Sequence, residues 1–105
     1  MTTIESGCRF VIFTLMYGII REYFIFNGKK EGEYKQYDNS GKSSVICNYK
    51  NGNLEGEYKQ YHENGKLCII CNYKNGKKEG EYKTYWPNGQ LVRICNYKNE
   101  KKIEI

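Results

Sequence analysis

Short segments rich in Tyr alternate with longer apolar segments along most of the chain. Residues 57–61 are EYKQY, whereas residues 66–74 are KLCIICNYK, which is longer and β-prone. Successive side chains of a strand point to opposite faces, and no helical period competes with this alternation. In the longer segment we predict that alternate side chains are buried, namely Leu67, Ile69, Cys71 and Tyr73. The side chains between them are predicted to be half-exposed: Cys68, Ile70, Asn72 and Lys74.

Asn-Gly pairs separate these segments. Asn64-Gly65 lies between the two, and Asn75-Gly76 follows the second. Both residues of such a pair tolerate the positive φ that a two-residue hairpin turn requires. Each unit is therefore predicted to fold as strand, turn, strand, turn. Glu100 stands where the next pair would have its glycine, so we expect the repeat to end there.

The unit recurs with a period of 24 residues, since Gly32, Gly56 and Gly80 each begin a copy. A fixed period of about 20 to 50 residues is typical of stacked repeats. Residues 8–31 match more loosely, and Gly18 lies one position late, which predicts an internal turn one residue longer. We predict an all-β fold, an elongated twisted antiparallel meander of stacked β-hairpin repeats. Its parts are a tail (1–7), a degenerate apolar first repeat (8–31), two repeats (32–55 and 56–79) and a terminal repeat with a C-terminal tail (80–105).

The first unit is apolar on both faces, with the run FVIFTLMYGII at residues 10–20. A membrane-spanning helix needs about 20 residues, so this run is too short. The leader carries Glu5 and no small-residue cleavage site follows, which argues against a secretory signal. A bare apolar edge strand promotes aggregation, so we expect a cover. The N-terminal tail, a second copy, a partner and a membrane are alternatives, and the candidate residues for self-association or membrane contact are Phe10, Ile12, Phe13 and Leu15.

The net charge of +5 is spread thinly along the sequence, with +1 in residues 1–31, 0 in 32–55 and +2 in each of 56–79 and 80–105. Nucleic-acid-binding domains usually carry a more concentrated basic patch, so nucleic acid is a disfavoured partner. Stacking places like residues about 9.6 Å apart in ladders. Structural cladding of the sheet and recognition of a partner are the alternatives for these ladders. The candidate partner-binding residues are Tyr34, Tyr58, Tyr82, Lys35, Lys59, Lys83 and the turn residue Trp86.

No constellation for catalysis, cofactor binding or metal binding is predicted. Cys68 and Cys71 are three apart and face opposite sides of a strand. Cys47, Cys71 and Cys95 share a phase, but a spacing of about 9.6 Å exceeds the Cα separation of a disulfide. We expect these thiols to act as small buried hydrophobes. The lone His62 is expected to be a solvated turn residue.

The sequence GEYKQYHENGKL, followed by NYKNGKKEGEY, resembles the MORN repeat variant family, closely over residues 32–99 and loosely over 8–31. The resemblance implies an elongated sheet of hairpins that serves protein or membrane association, with no shared catalytic residue. It also implies a relation to antitoxin-like or viral members. We therefore expect a non-enzymatic scaffold or adaptor for another protein, with an anionic membrane surface as the alternative. The odd number of cysteines argues against a secreted disulfide framework. We expect an intracellular, cytoplasmic location, apposed to a membrane in the alternative.

Overall fold

The computed structural model describes residues 9–16 and 18–103 of the chain, with side chains from residue 18 onward. These residues form eleven strands and no helix. All the strands belong to one sheet, and the principal dimensions are 51 × 34 × 16 Å. The strands are β1 (Arg9–Met16), β2 (Ile19–Phe26), β3 (Lys29–Tyr37), β4 (Ser43–Lys50), β5 (Asn53–Leu54), β6 (Gly56–Tyr61), β7 (Leu67–Lys74), β8 (Lys77–Lys78), β9 (Gly80–Tyr85), β10 (Leu91–Lys98) and β11 (Lys101–Ile103).

Every strand pairs antiparallel with its neighbours in the order β1-β2-β3-β4-β6-β7-β9-β10-β11. The short strands β5 and β8 pair with β4 and β7 and are the first parts of the strands that continue as β6 and β9. The chain is therefore a meander without crossovers. The predicted all-β sheet of hairpin repeats is confirmed.

The turns between repeats have the backbone conformation that Asn-Gly favours. Asn51 and Gly52 have φ of 52° and 84°, and Asn75 and Gly76 repeat these values closely. Glu100 takes the glycine position of the last turn with φ 70°, and β11 still pairs with β10. The turn therefore forms without glycine, and the terminal repeat ends in the three residues of β11. The favourable pairing of β11 offsets the strain of a left-handed glutamate.

The glycines that begin the copies occupy an irregularity in the sheet. Tyr49 is opposite Leu54, but Ile46 is opposite Lys59, so the β5–β6 side has two extra residues. Gly56 lies within this insertion at φ 80°. A left-handed residue at a bulge is best supplied by glycine. This requirement explains why the 24-residue copies begin with Gly.

A second bulge lies inside the hairpin of each of the three regular repeats. Gln60 is opposite Ile69 and Tyr61 is opposite Leu67, so Cys68 is the extra residue. Because β6 itself stays regular, Tyr58 and Tyr61 alternate onto opposite faces. The exposure predicted for β7 is correct for Cys71, which is buried. The exposures of residues 67–70 do not separate into two sets, because one layer leaves both faces partly open.

Burial is limited, since only Tyr34, Cys47 and Cys71 are buried apolar residues within the described part of the chain. Each cysteine lies opposite a tyrosine of the preceding strand, as Cys71 does opposite Tyr58. The fold therefore buries apolar surface in columns along the sheet. This arrangement is typical of repeat stacks, whose units contact only their neighbours.

The degenerate first unit is a strand pair, with Arg9 opposite Phe26 and Met16 opposite Ile19. Its internal connection spans two positions, whereas five residues link β3 to β4. The prediction of a longer turn is wrong. Gly18 has φ 78°, and a Cβ there would lie 2.9 Å from the Cβ of Asn39. Close approach to the next turn therefore favours a short connection with glycine at this position.

Candidate interaction surfaces

The sheet has two chemically different faces. Opposed residues of an antiparallel pair share a face, and neighbours along a strand do not. Tyr58 is opposite Cys71 and Lys59 is opposite Ile70, so these two pairs lie on opposite faces. We call the side with Tyr34, Tyr58 and Tyr82 the tyrosine face, and the side with Lys35, Lys59 and Lys83 the ladder face.

The tyrosine face is built from aromatic pairs that contact edge to face. The rings of Tyr34 and Tyr49 have centroids 5.6 Å apart, and the equivalent pairs of the next two repeats lie at 5.8 and 5.6 Å. Such pairs are favourable beyond the area that they bury. Burial raises the pKa of Tyr49 and of Tyr73 to about 12. Much of the aromatic surface is therefore used inside the sheet.

Lysines cover two of these tyrosine clusters. The Nζ of Lys30 lies 5.0, 5.3 and 5.1 Å from the ring centroids of Tyr23, Tyr34 and Tyr49. Lys78 makes two such contacts in the last repeat. Leu54 occupies the same phase in the central repeat. The position therefore accepts either a cation over the rings or an aliphatic chain.

The ladder face is electrically balanced. Its strands carry the row Lys35, Ile46, Lys59, Ile70, Lys83 and Ile94, in which each residue is opposite the next. Each lysine pairs with the glutamate two positions before it, at 3.5, 3.3 and 3.1 Å in chain order. Exposed ion pairs contribute little free energy, but they cancel charge.

The predicted partner-binding residues therefore do not form one surface. The tyrosine ladder and the lysine ladder lie on opposite faces, and Tyr34 is only 8% exposed. The reason is the two-residue period of a strand, since each candidate tyrosine and lysine are adjacent in sequence. The first-unit candidates lie on β1, and their side chains are outside the described residues: Phe10, Ile12, Phe13 and Leu15.

Trp86 lies in the turn between β9 and β10 and is 55% exposed. Its backbone N–H donates to the carbonyl of Gln90 at 2.8 Å. Leu91 and Ile94 of β10 are 50% and 49% exposed. Leu91 is opposite Tyr85 and Ile94 is opposite Lys83, which places both on the ladder face. We call Trp86, Leu91 and Ile94 the apolar corner.

His62 is not simply a solvated residue, as the sequence led us to expect. It is partly buried, and its Nε2 lies 2.7 Å from the carbonyl oxygen of Tyr85, to which it donates. The Asn64 side chain likewise donates to the Pro87 carbonyl at 2.7 Å. These bonds join the turn of one repeat to the turn of the next. The expectation considered only the local sequence, and the partner is 23 residues away.

Glutamates that the sequence analysis missed join the Asn-Gly turns to one another. The Oε1 of Glu31 accepts the backbone N–H of Asn51 at 2.9 Å, and Glu55 accepts that of Asn75 at 2.9 Å. Glu79 repeats the bond at 3.1 Å. The available signal was the acidic residue before each repeat-start glycine, 20 residues from the next Asn.

No cluster of His, Cys, Asp and Glu that could hold a metal ion exists within residues 9–16 and 18–103. Cys47, Cys68, Cys71 and Cys95 are free thiols. Burial raises the pKa of Cys47 and of Cys71 to about 11. Protonated thiols are poor nucleophiles and poor ligands. Cys47 and Cys71 therefore act as small buried hydrophobes.

The repeats match a family model described as MORN repeat variant at residues 30–51, 54–75 and 78–99. These segments start 24 residues apart and together cover more than half of the chain. No curated protein and no solved structure matches significantly. In the described part of the chain, no helix is long and apolar enough to cross a membrane. The family match specifies hairpin repeats and leaves the antitoxin-like or viral relation without support.

Proposed function

Because the chain belongs to the MORN repeat variant family, whose repeats are commonly protein or membrane interaction modules, we propose that it is a non-enzymatic scaffold for another protein. The observation that supports this proposal is the apolar corner. Trp86, Leu91 and Ile94 are each about half exposed or more, and they lie together in one repeat. Exposed Trp with apolar neighbours is typical of binding hot spots.

The equivalent positions of the other repeats offer less apolar surface. Asp38 and His62 stand where Trp86 stands, and Ile46 and Ile70 are only partly exposed. A partner that docks on the corner would also reach Lys83 and Tyr85, which lie opposite its two aliphatic residues. The proposed interface therefore consists of Trp86, in the turn of the last repeat, and of Leu91 and Ile94 on the ladder face.

The alternative is association with an anionic membrane through the apolar first unit and the lysine ladder. The candidate side chains of the first unit lie outside the described residues, and the lysine ladder gives this alternative little support. Lys35, Lys59 and Lys83 each have a glutamate within 3.5 Å. A ladder that carries its own counter-charges attracts anionic lipid weakly. We therefore assign the ladder face to protein contact.

Site-specific photo-crosslinking tests the proposal. A photoreactive residue replaces Trp86 in one variant and Lys50, which is exposed at the opposite end of the strands, in a control. We expect position 86 to capture a specific protein that position 50 does not. With that protein purified, Trp86→Ala or Ile94→Lys should weaken its Kd by about 30-fold, the effect of losing a hot spot. A partner whose Kd is unchanged by both substitutions would exclude the corner as the interface.

A further inference from the structure

The net charge of the protein is concentrated at one end of its strands. We call the turns at residues 27–28, 51–52, 75–76 and 99–100, with the adjacent strand ends, the asparagine-turn row. Four glutamates lie there, at positions 31, 55, 79 and 100, against nine lysines, which gives a net charge of +5, equal to that of the whole chain. The lysines are Lys29, Lys30, Lys50, Lys74, Lys77, Lys78, Lys98, Lys101 and Lys102.

The glutamates of this row do not neutralise most of its lysines. Three accept backbone N–H groups of the next turn, as Glu55 does from Asn75 at 2.9 Å. Glu100 contacts Lys78, with its Oε1 3.8 Å from the ammonium nitrogen. Seven of the lysines are exposed and, within residues 18–103, form no ion pair: Lys29, Lys50, Lys74, Lys77, Lys98, Lys101 and Lys102.

The row also contains clefts between successive turns. One cleft of about 260 Å³ is lined by Lys74, Asn75, Lys77, Glu79, Lys98 and Asn99. A second, of about 340 Å³, lies at equivalent positions of the first repeats and is lined by Phe26, Glu31, Lys50 and Asn51. The carboxylate in each cleft accepts a turn N–H and keeps its charge. The lysines that line the clefts form no ion pair within residues 18–103, and in the first cleft they outnumber the glutamate three to one.

We propose that the asparagine-turn row binds an extended acidic polypeptide segment that runs across the strands. Two strand spacings of about 4.8 Å separate successive turns, which gives a pitch of about 9.6 Å. A polyproline II chain rises about 3.1 Å per residue with three residues per turn, so every third side chain faces the same way about 9.3 Å apart. Carboxylates at every third position would therefore meet successive turns.

The chemistry of the row favours a polypeptide over other polyanions. Single-stranded nucleic acid uses open aromatic rings for stacking. Two of the three tyrosine clusters nearest the row lie beneath Lys30 and Lys78, and Leu54 occupies this position in the central repeat. Lipid-binding surfaces insert Trp, Phe or Leu, whereas the turns of the row consist of Asn, Gly and Glu. Unpaired lysines that flank successive turns along a narrow edge suit a single extended chain.

Fluorescence anisotropy with a labelled peptide of six Glu-Pro-Pro units tests the inference. We expect salt-sensitive binding, and none by the Gln-Pro-Pro peptide. The double variant Lys74→Gln/Lys98→Gln should weaken the Kd about fivefold, as two exposed charge contacts would. The matched control is Lys42→Gln/Lys66→Gln, which removes the same charge from exposed positions in the opposite turns, and it should change the Kd less than twofold.

Two results would overturn the inference. One is equal weakening by both double variants, which would mean that only the net charge matters. The other is row-dependent binding of phosphatidylserine vesicles or of oligo-dT that is tighter than binding of the peptide, which would assign the row to a lipid or nucleic-acid ligand. This row is separate from the apolar corner, so neither result changes whether the corner is a protein interface.

Discussion

Glu55 and Glu57 are two residues apart and are predicted to differ sharply in their effect on stability. The carboxylate of Glu55 accepts the N–H of Asn75 at 2.9 Å, which fixes the turn of the next hairpin. Glu57 forms an ion pair with Lys59 at 3.3 Å on the ladder face, where it is 53% exposed. Alanine at either position removes one negative charge, so each variant is a control for the other.

The magnitudes follow from the two kinds of contact. A hydrogen bond to a charged group contributes about 1.5–3 kcal/mol, and the exposure of Asn75 lowers this because water can replace the carboxylate. We expect Glu55→Ala to lower the free energy of unfolding by about 1–1.5 kcal/mol. An exposed ion pair contributes about 0–1 kcal/mol, and Glu57→Ala should therefore cost at most about 0.5 kcal/mol.

Urea unfolding followed by circular dichroism measures both variants. With an m-value of roughly 1.2 kcal/mol/M, Glu55→Ala should move the midpoint down by about 1 M, and Glu57→Ala by less than about 0.4 M. Amide exchange at Asn75 should accelerate only in the first variant. Equal midpoint shifts, or exchange at Asn75 that is unchanged by Glu55→Ala, would refute the assigned role of this glutamate.

Three further substitutions or conditions are predicted together. Gly56→Ala should destabilise the protein by about 1–2 kcal/mol, because a Cβ there meets open space but φ is 80°, and a thermal melt measures this strain. Cys47 and Cys71 have pKa values of about 11 against 9 in an unfolded chain, so stability should be constant below pH 9 and fall between pH 9 and 11, by up to about 2–3 kcal/mol per thiol. Urea midpoints that do not change across this range would contradict the burial of these thiols. His62→Ala should cost about 1 kcal/mol by loss of its bond to the next turn, and a cost near zero would mean that the bond does not form in solution.

The hairpins were predictable from the sequence because their signals are local. The turn at Asn75-Gly76 needs positive φ at both residues, which few other residue pairs tolerate, and the 24-residue period then fixes how hairpins stack. The separation of Tyr58 from Lys59 was also available from strand periodicity. Tyr58 and Lys59 look like members of one candidate surface because both recur with the 24-residue period. A residue that recurs every 24 positions forms a column across the sheet. Whether its position along the strand is odd or even decides on which face that column lies.

The contacts between turns could not be predicted in the same way. Glu55 reaches Asn75 only because two extra residues at Gly56 shift the strand, and sequence spacing alone does not locate such a bulge. His62 reaches the carbonyl of Tyr85 for a related reason, since adjacent turns pack side by side. Backbone acceptors are present at every residue and therefore leave no signature in composition.

The distribution of charge shows how a repeat converts weak sequence bias into a defined surface. Counted along the chain, no segment exceeds +2, which suggests a dispersed charge. When residues are grouped by their position within the 24-residue period, the ladder-face positions carry Lys and Glu in equal numbers. The lysines that outnumber glutamates lie beside the turns of the asparagine-turn row. Stacking aligns the phases, so small contributions of successive repeats add at one edge of the sheet. For a repeat protein, the position within the period therefore determines electrostatic function more than the position along the chain.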